Sequence, residues 1–98
     1  MRRYVVTGPA QRDIREIVAY LRRQSPSAAR RVRAAFRTAM KEIATWPGAG
    51  HGREDLGDDS LRAFVVYRYL IVYRPTVRPL EILRVIHGAR DVGAIFGA

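Results

Sequence analysis

The sequence predicts a single α+β domain over residues 1–98 with the element order β-α-α-β-β-β. A helical hairpin at the N-terminal side is expected to pack on one face of a small, mostly antiparallel sheet. Two observations favour this fold: the first half carries two long stretches with apolar residues at helical spacing, and the second half carries three short stretches rich in apolar and β-branched residues. A chain of this length has room for one domain only.

The first strand is expected from Arg3 to Thr7, which is short and β-branched. The sequence Thr7-Gly8-Pro9 is typical of a helix start, because proline suits the first turn. We expect this helix to run to about Gln24. Its apolar positions recur at the spacing of one helix face, and they are Ala10, Ile14, Ile17, Val18 and Leu21.

A second helix is expected to begin at Ser25-Pro26 in the same way and to end near Trp46-Pro47-Gly48. The link between the two helices is so short that they must form an antiparallel hairpin. The second helix also has one apolar stripe, made of Val32, Phe36, Ala39, Met40 and Ile43.

The segment from Gly48 to Ser60 is rich in Gly, Asp and Glu and predicts a loop. Its glycines do not precede a helix start, so we interpret residues 48–52 as a flexible connector and not as a phosphate-binding loop. Strands are predicted at residues 61–67, 69–74 and 80–87. A short apolar tail through Ile95 and Phe96 follows.

Every residue from Tyr69 to Tyr73 is apolar or aromatic, so both faces of this strand are expected to be buried. A helical hairpin covers only one face of a sheet. The other face needs the C-terminal tail, a second copy of the chain or a partner segment, and we favour a partner because uncovered apolar patches usually mark interaction sites.

The positive charge is concentrated in the first two-fifths of the chain. The formal net charge is +9, and residues 1–41 alone carry eleven Arg and Lys against two acids, whereas residues 42–98 are balanced. The preference for Arg over Lys fits the codon bias of a GC-rich genome, but that bias does not explain the excess over Asp and Glu. Such a field attracts acidic partners, whether nucleic acid or protein.

The sequence predicts no cofactor and no metal site. It contains no cysteine, and its His, Asp and Glu residues lack metal-ligand spacing. The apolar run at Tyr4-Val5-Val6 is too short for a signal peptide, and no apolar run approaches the roughly 20 residues needed to span a bilayer. We therefore expect a cytoplasmic protein without membrane association.

The second helix carries Arg33, Arg37 and Lys41 at intervals of four residues, with Arg30 adjacent. Like charges at this spacing repel one another by about 0.2–0.5 kcal/mol per pair. One hypothesis is a basic ridge that binds an acidic partner, and the alternative is a solvated helix face.

The last predicted strand ends at His87, with Arg84 upstream and Arg90 just beyond. A histidine beside arginines can perform acid–base chemistry on a phosphodiester, which makes His87 and Arg90 the candidate catalytic residues. In the alternative, His87 binds backbone at the strand end while Arg90 pairs with Asp91 or another acid.

Three sequence stretches, together with the element order and Trp46-Pro47-Gly48, resemble the ParE branch of the ParE/RelE toxin superfamily. They are residues 61–64 (LRAF), 69–74 (YLIVYR) and 82–91 (ILRVIHGARD). The segment from His87 to Asp91 is the most specific of them. The resemblance covers nearly the whole chain and implies the toxin of a bacterial type II toxin–antitoxin pair, a class associated with plasmid stabilization.

The resemblance implies a cognate acidic, partly disordered antitoxin, ParD-like or related, that folds as it binds. A homodimer or a toxin–antitoxin hetero-oligomer is the assembly that we expect. We assign target binding to Arg84, His87 and Arg90. The expected antitoxin-binding residues are the ridge arginines and apolar strand residues, namely Arg33, Arg37, Val65, Tyr67, Tyr69, Ile71 and Tyr73.

The two branches of the superfamily act differently. RelE-like members are ribosome-dependent mRNA endoribonucleases that use several basic residues and a tyrosine, whereas ParE-like members bind DNA gyrase and trap its cleavage complex. Here Leu70 takes the place of one of those arginines, and no tyrosine follows Arg90. We therefore expect gyrase inhibition. The alternatives are a RelE-like nuclease that uses His87, Arg90 and either Arg68 or Arg84, and an inactive toxin fold that binds nucleic acid.

Overall fold

The computed structural model describes residues 3–96, apart from the side chains of residues 89 and 90. This part of the chain forms three α-helices and one four-stranded sheet, with 3₁₀ turns at Pro47–Ala49 and Glu54–Leu56. The α+β prediction is confirmed. The elements are β1 (Tyr4–Val6), α1 (Gly8–Gln24), α2 (Pro26–Thr45), β2 (Arg62–Val66), β3 (Tyr69–Arg74), β4 (Leu80–His87) and α3 (Gly88–Ile95).

The strand order in the sheet is β1-β4-β3-β2. Strands β2, β3 and β4 pair antiparallel, whereas β1 pairs parallel with β4, with Tyr4 opposite Leu80. Thr7 strengthens this junction, because its Oγ1 lies 3.0 Å from the carbonyl oxygen of Ile82. The N-terminal strand is therefore at one edge of the sheet, and β4 lies between the first strand and the third.

Both long helices start as their sequences predict. The Thr7 Oγ1 accepts a hydrogen bond from the backbone N–H three residues on, at 3.4 Å, and the Ser25 Oγ does the same at 3.2 Å. Pro9 and Pro26 occupy the first turns, where a missing N–H costs nothing. Ser25 also ends α1, since its own N–H donates to Leu21. One residue thus separates two antiparallel helices.

The helical hairpin packs on one face of the sheet and encloses the first core. Phe36 and Ile43 of α2 are buried against Ile71 and Tyr73 of β3. Burying an apolar side chain of this size contributes about 1.5–3 kcal/mol. Ala10, Ala39, Met40, Val66, Leu80, Ile82 and Val85 complete the buried set.

The opposite face of the sheet is covered by the chain itself, so the expectation that a partner covers it is wrong. Leu70 and Val72 of β3 are buried beneath Val92 of α3 and Leu56 of the loop before β2. Phe96, which is partly buried, packs against the same cluster. The C-terminal tail, for which no helix or strand was predicted from the sequence, therefore forms a helix that covers a second core.

The loop between α2 and β2 is held to the sheet by hydrogen bonds, which corrects its interpretation as a flexible connector. The Tyr73 hydroxyl, fully buried, donates to the carbonyl oxygen of Pro47 at 2.6 Å and accepts from the N–H of Gly50 at 2.9 Å. Arg62 donates to the Gly50 carbonyl at 3.0 Å. His51 exchanges two backbone hydrogen bonds with β2. The first part of the loop, residues 47–51, is thereby fixed to one edge of the sheet.

Within residues 3–96, no helix is both long enough and apolar enough to cross a lipid bilayer.

Candidate functional site

An open cleft of about 840 Å³ lies between the helical hairpin and the end of the sheet where β4 finishes. Its rim carries three exposed apolar side chains: Tyr20 of α1 (54% exposed), Tyr67 of the β2–β3 turn (63%) and Ile95 of α3 (38%). Large exposed apolar groups around a concavity are typical of a surface that binds another molecule.

A charged pair on the wall of the cleft joins α1 to β4. Arg84 donates from Nε to Asp13 Oδ2 at 2.7 Å and from Nη2 to Asp13 Oδ1 at 3.0 Å, and the Val85 N–H also donates to Asp13 Oδ2 at 2.9 Å. The hydrogen bonds that Arg84 donates to Asp13 raise the pKa of Arg84, while partial burial opposes the rise. A bidentate pair of this kind fixes geometry as well as charge. Arg84, predicted to bind the target, thus lies in the cleft but with its charge matched.

His87 ends β4 at the floor of the cleft. Its ring meets Tyr69 edge to face, with centroids 6.0 Å apart, and Tyr69 in turn meets Phe36 at 5.5 Å. The His87 backbone N–H donates to Asp91 Oδ2 at 3.2 Å. Among the described residues, no hydrogen bond joins the His87 ring to a carboxylate, and its buried Nδ1 has no hydrogen-bond partner. Edge-to-face contacts therefore connect the His87 ring through Tyr69 to Phe36 in the first core.

Arg90 and Leu70 are the remaining residues that the sequence analysis associated with this end of the sheet. The structure describes the side chain of Leu70 but not that of Arg90. Arg90 belongs to α3, but its side chain lies outside the described part, so its catalytic and target-binding assignments stay predictions. Leu70 is 3% exposed and belongs to the second core. A Cβ added at Gly88 would lie only 3.2 Å from Leu70, so the first turn of α3 sits directly on this side chain. The position that the resemblance aligns with an arginine of RelE-like nucleases is here a core position.

The five apolar residues predicted to bind antitoxin fall into two groups. Val65 (61% exposed) and Tyr67 lie on the surface, and Tyr69 is half-buried beside the cleft. Ile71 and Tyr73 have no exposed surface, because their side chains point into the first core beneath α2. We therefore no longer expect these two to contact an antitoxin; their part is to support the surface.

Tyr67 has an unusual backbone conformation. It occupies the two-residue turn with Arg68 and has a φ of 55°. The left-handed region is disfavoured for a bulky residue, and such outliers often occur at functional sites. Tyr67 also lines a smaller hollow of about 370 Å³ beside Val65 and Gly88. An exposed aromatic ring is thus held between two concavities.

The ridge arginines lie apart from the cleft. Arg33 and Arg37 are exposed on α2. A helix turns about 100° per residue, which places them on the flank opposite Arg31 and Val32, the two α2 residues that line the cleft. The structure therefore brings Tyr67, Tyr69, Arg84 and His87 together but leaves this pair on a second surface.

Three residues of the cleft were not identified from the sequence. Asp13 could have been found, because it is the one acid within a turn of both Ala10, which is buried, and Ile17, which is partly buried. Tyr20 follows Ile17 by three residues and so continues the same side of α1. Ile95 could not have been placed, since the helix that presents it was not predicted.

The described residues contain no group of three or more His, Cys, Asp or Glu side chains that could hold a metal ion. The cleft thus offers apolar anchors, one matched ion pair and a histidine without a carboxylate partner.

The fold and the cleft define a small α+β protein with an open, partly apolar cleft at one end of its sheet. A family model described as the ParE toxin of the type II toxin-antitoxin system, parDE, matches residues 4–92. The chain belongs to this family. It is therefore a ParE-like toxin of a type II toxin–antitoxin system, and the family implies a cognate antitoxin as its partner. A comparison with curated proteins finds no match.

Proposed function

We propose that this toxin inhibits DNA gyrase by binding it, without cleaving nucleic acid itself, and that a cognate acidic antitoxin neutralises it in the bacterial cytoplasm. The observation that carries the proposal is the state of two positions at which a RelE-like nuclease could use a free cation. Leu70 is buried in the second core, and Arg84 is bound to Asp13 through two hydrogen bonds.

Cleavage of a phosphodiester needs a base, an acid and cations directed at the developing negative charge. The His87 ring has no hydrogen bond to a carboxylate among the described residues, and the Arg84 guanidinium is already neutralised. A protein that traps a gyrase–DNA intermediate needs only a binding surface. The cleft, with its exposed Tyr20, Tyr67 and Ile95, supports that role.

The antitoxin is proposed to place a partly disordered segment in the cleft and to fold there. Tyr67 and Tyr69 would supply apolar contacts there, and Val65 would supply one in the smaller hollow beside Tyr67. Arg33 and Arg37 lie on the other flank of α2, so their proposed part is long-range attraction of the acidic chain. In vivo the pair would form a hetero-oligomer, and loss of the antitoxin would release the toxin.

The deciding experiment is a gyrase reaction on supercoiled plasmid, in which the measured product is linear DNA covalently attached to protein. We expect this product to accumulate with the native toxin and to fall with Arg90→Ala and His87→Ala. A variant far from the cleft, Arg78→Ala, should behave as the native protein. Gyrase that turns over normally at excess toxin would contradict the proposal.

A second candidate is ribosome-dependent RNA cleavage. The observation in its favour is that Arg68, Arg84 and His87 all line the same cleft. Its test is mRNA programmed on ribosomes, analysed for new 5′ ends. Intact message at excess toxin removes this candidate, and cleavage that survives His87→Ala would remove the assigned role of the histidine.

A further inference from the structure

Four cations form a row along the outer flank of α2, which we call the α2 ridge: Arg30, Arg33, Arg37 and Lys41. All four are exposed. At about 100° per residue they fall within about 80° of one another around the helix, and they extend over about 16 Å of its axis. Near one end of this row, Arg3 donates to Thr45 at 3.2 Å, which places a fifth cation close to the ridge.

The charges of the α2 ridge are not matched within the described part of the chain. The ion pairs there are Arg53–Asp55, Arg74–Glu81 and Arg84–Asp13, and no ridge side chain donates a hydrogen bond. The acid of α2, Glu42, lies about 140° around the helix from the centre of the ridge. The ridge is therefore a surface of positive charge alone.

The character of the surface indicates what it binds. Among the described residues, the exposed large apolar side chains are Tyr20, Trp46, Val65, Tyr67 and Ile95, and none of these belongs to the ridge flank of α2. A protein segment that folds on binding needs apolar anchors, and the cleft has them. Beside the ridge cations, α2 exposes Ala34 and Thr38, which are small and allow close approach of another molecule's backbone.

From this chemistry we propose that the α2 ridge binds the phosphate backbone of duplex DNA without reading its sequence. Duplex DNA carries one negative charge per about 1.7 Å of its axis, so a 16 Å row of cations faces several phosphates. Single strands are bound mainly by stacking on aromatic side chains, and the ridge has none. This inference goes beyond gyrase inhibition, and DNA binding is measured without gyrase.

The test is fluorescence anisotropy of the purified toxin with a labelled DNA duplex of arbitrary sequence, repeated over a range of salt concentrations. We expect Arg33→Gln with Arg37→Gln to lower the slope of log K against log salt by about 2 and the affinity at low salt by about tenfold or more. Arg33→Lys with Arg37→Lys should retain most of the binding, which separates loss of charge from loss of fold.

A matched control removes the same charge elsewhere. Arg12 and Arg23 are exposed on the outer face of α1, and Arg12→Gln with Arg23→Gln should change the slope by less than half as much. Equal effects of the two pairs would overturn the ridge as a site, because net charge alone would then explain binding. Poly-glutamate that displaces the labelled duplex more effectively than unlabelled duplex DNA at the same concentration of negative charge would also overturn the proposal. Tighter binding of duplex RNA than of duplex DNA would overturn it as well.

Discussion

Tyr73 and Gly50 lie so close together that Gly50 has no room for a side chain. A Cβ added there would lie 2.6 Å from the Tyr73 hydroxyl oxygen and 2.7 Å from the carbonyl oxygen of Ala63. The same hydroxyl accepts the Gly50 N–H and donates to Pro47. The buried Tyr73 thus holds the loop between α2 and β2 to the sheet by two hydrogen bonds. This close approach requires glycine at position 50.

Gly50→Ala is predicted to destabilise the toxin by about 1–3 kcal/mol, the usual cost of overpacking a tight site. One of the three clashing atoms is a backbone oxygen in β2, which cannot move without disturbing the sheet. The free energy of unfolding in urea measures the effect. Gly52→Ala is the control, since a Cβ there meets nothing within 4 Å; equal losses in both variants would contradict the packing argument.

Asp13→Asn is predicted to lower the free energy of unfolding by about 1–3 kcal/mol. The carboxylate pairs with Arg84 and also accepts the Val85 N–H, so its loss leaves a partly buried guanidinium without its bidentate partner. Chemical denaturation measures the change.

The matched control for Asp13 is Glu16→Gln. Glu16 lies one turn further along α1, is exposed, and makes no described ion pair. The Glu16→Gln substitution removes one negative charge, as Asp13→Asn does, and it should change the free energy of unfolding by less than about 0.5 kcal/mol. A loss in the Glu16 variant as large as that in the Asp13 variant would show that general charge, and not the pair, is responsible.

Asp58 makes the stability of the loop depend on pH. The Ser60 hydroxyl and the Ser60 N–H both donate to Asp58 Oδ1, and these bonds lower the pKa of Asp58 below its ordinary value. A lowered pKa in the folded state means that the unfolded chain takes up the proton first. The stabilisation of the folded state by the ionised Asp58 carboxylate is therefore complete above about pH 4, and it is lost as the pH falls through the folded-state pKa.

Ser60→Ala tests this directly, because it removes the largest cause of the shift. An NMR titration of the carboxyl carbons should show the pKa of Asp58 rising toward its ordinary value in the variant. The unfolding midpoint in acid should move to higher pH. An Asp58 pKa that stays the same in both proteins would contradict the assignment.

Tyr67→Gly is predicted to separate stability from binding. Glycine adopts a positive φ without strain, whereas an L-residue with a side chain pays about 1–2 kcal/mol there. After the entropic cost of a new glycine, we expect the free energy of unfolding to rise by about 0.5–1 kcal/mol. Antitoxin affinity, measured by calorimetry, should fall at the same time. A variant that loses stability and keeps affinity would make Tyr67 a structural residue only.

The sequence predicts those elements whose pattern is local. Thr7 and Ser25 mark helix starts through caps and prolines, and the apolar run at 69–74 is a strand buried on both faces. The place of β1 could not be predicted, since the pairing of Tyr4 with Leu80 depends on packing. Helix α3 was missed because Gly88 and Gly93 weaken its helical pattern, so the C-terminal tail was only one of three possible covers for the second face of the sheet.

The cleft is predictable only in part. His87, Tyr67 and Arg84 could be selected from the sequence, but their relation to Asp13 depends on how α1 crosses β4. The contact between Tyr73 and Gly50 also joins residues distant in sequence. The available signal is a tyrosine within a strand buried on both faces, because its hydroxyl must find a partner.

Because β4 lies between β1 and β3 in the sheet, the toxin can complete its fold only late in its synthesis. Tyr4 has its pairing partner only when Leu80 has been made, and both cores draw side chains from β4. Until then the nascent hairpin exposes Phe36 and Ile43 with no sheet to cover them. We therefore expect polypeptides from translation that stops before β4 to be non-toxic and readily degraded, so that a cell is exposed to this toxin only after translation has passed residue 87.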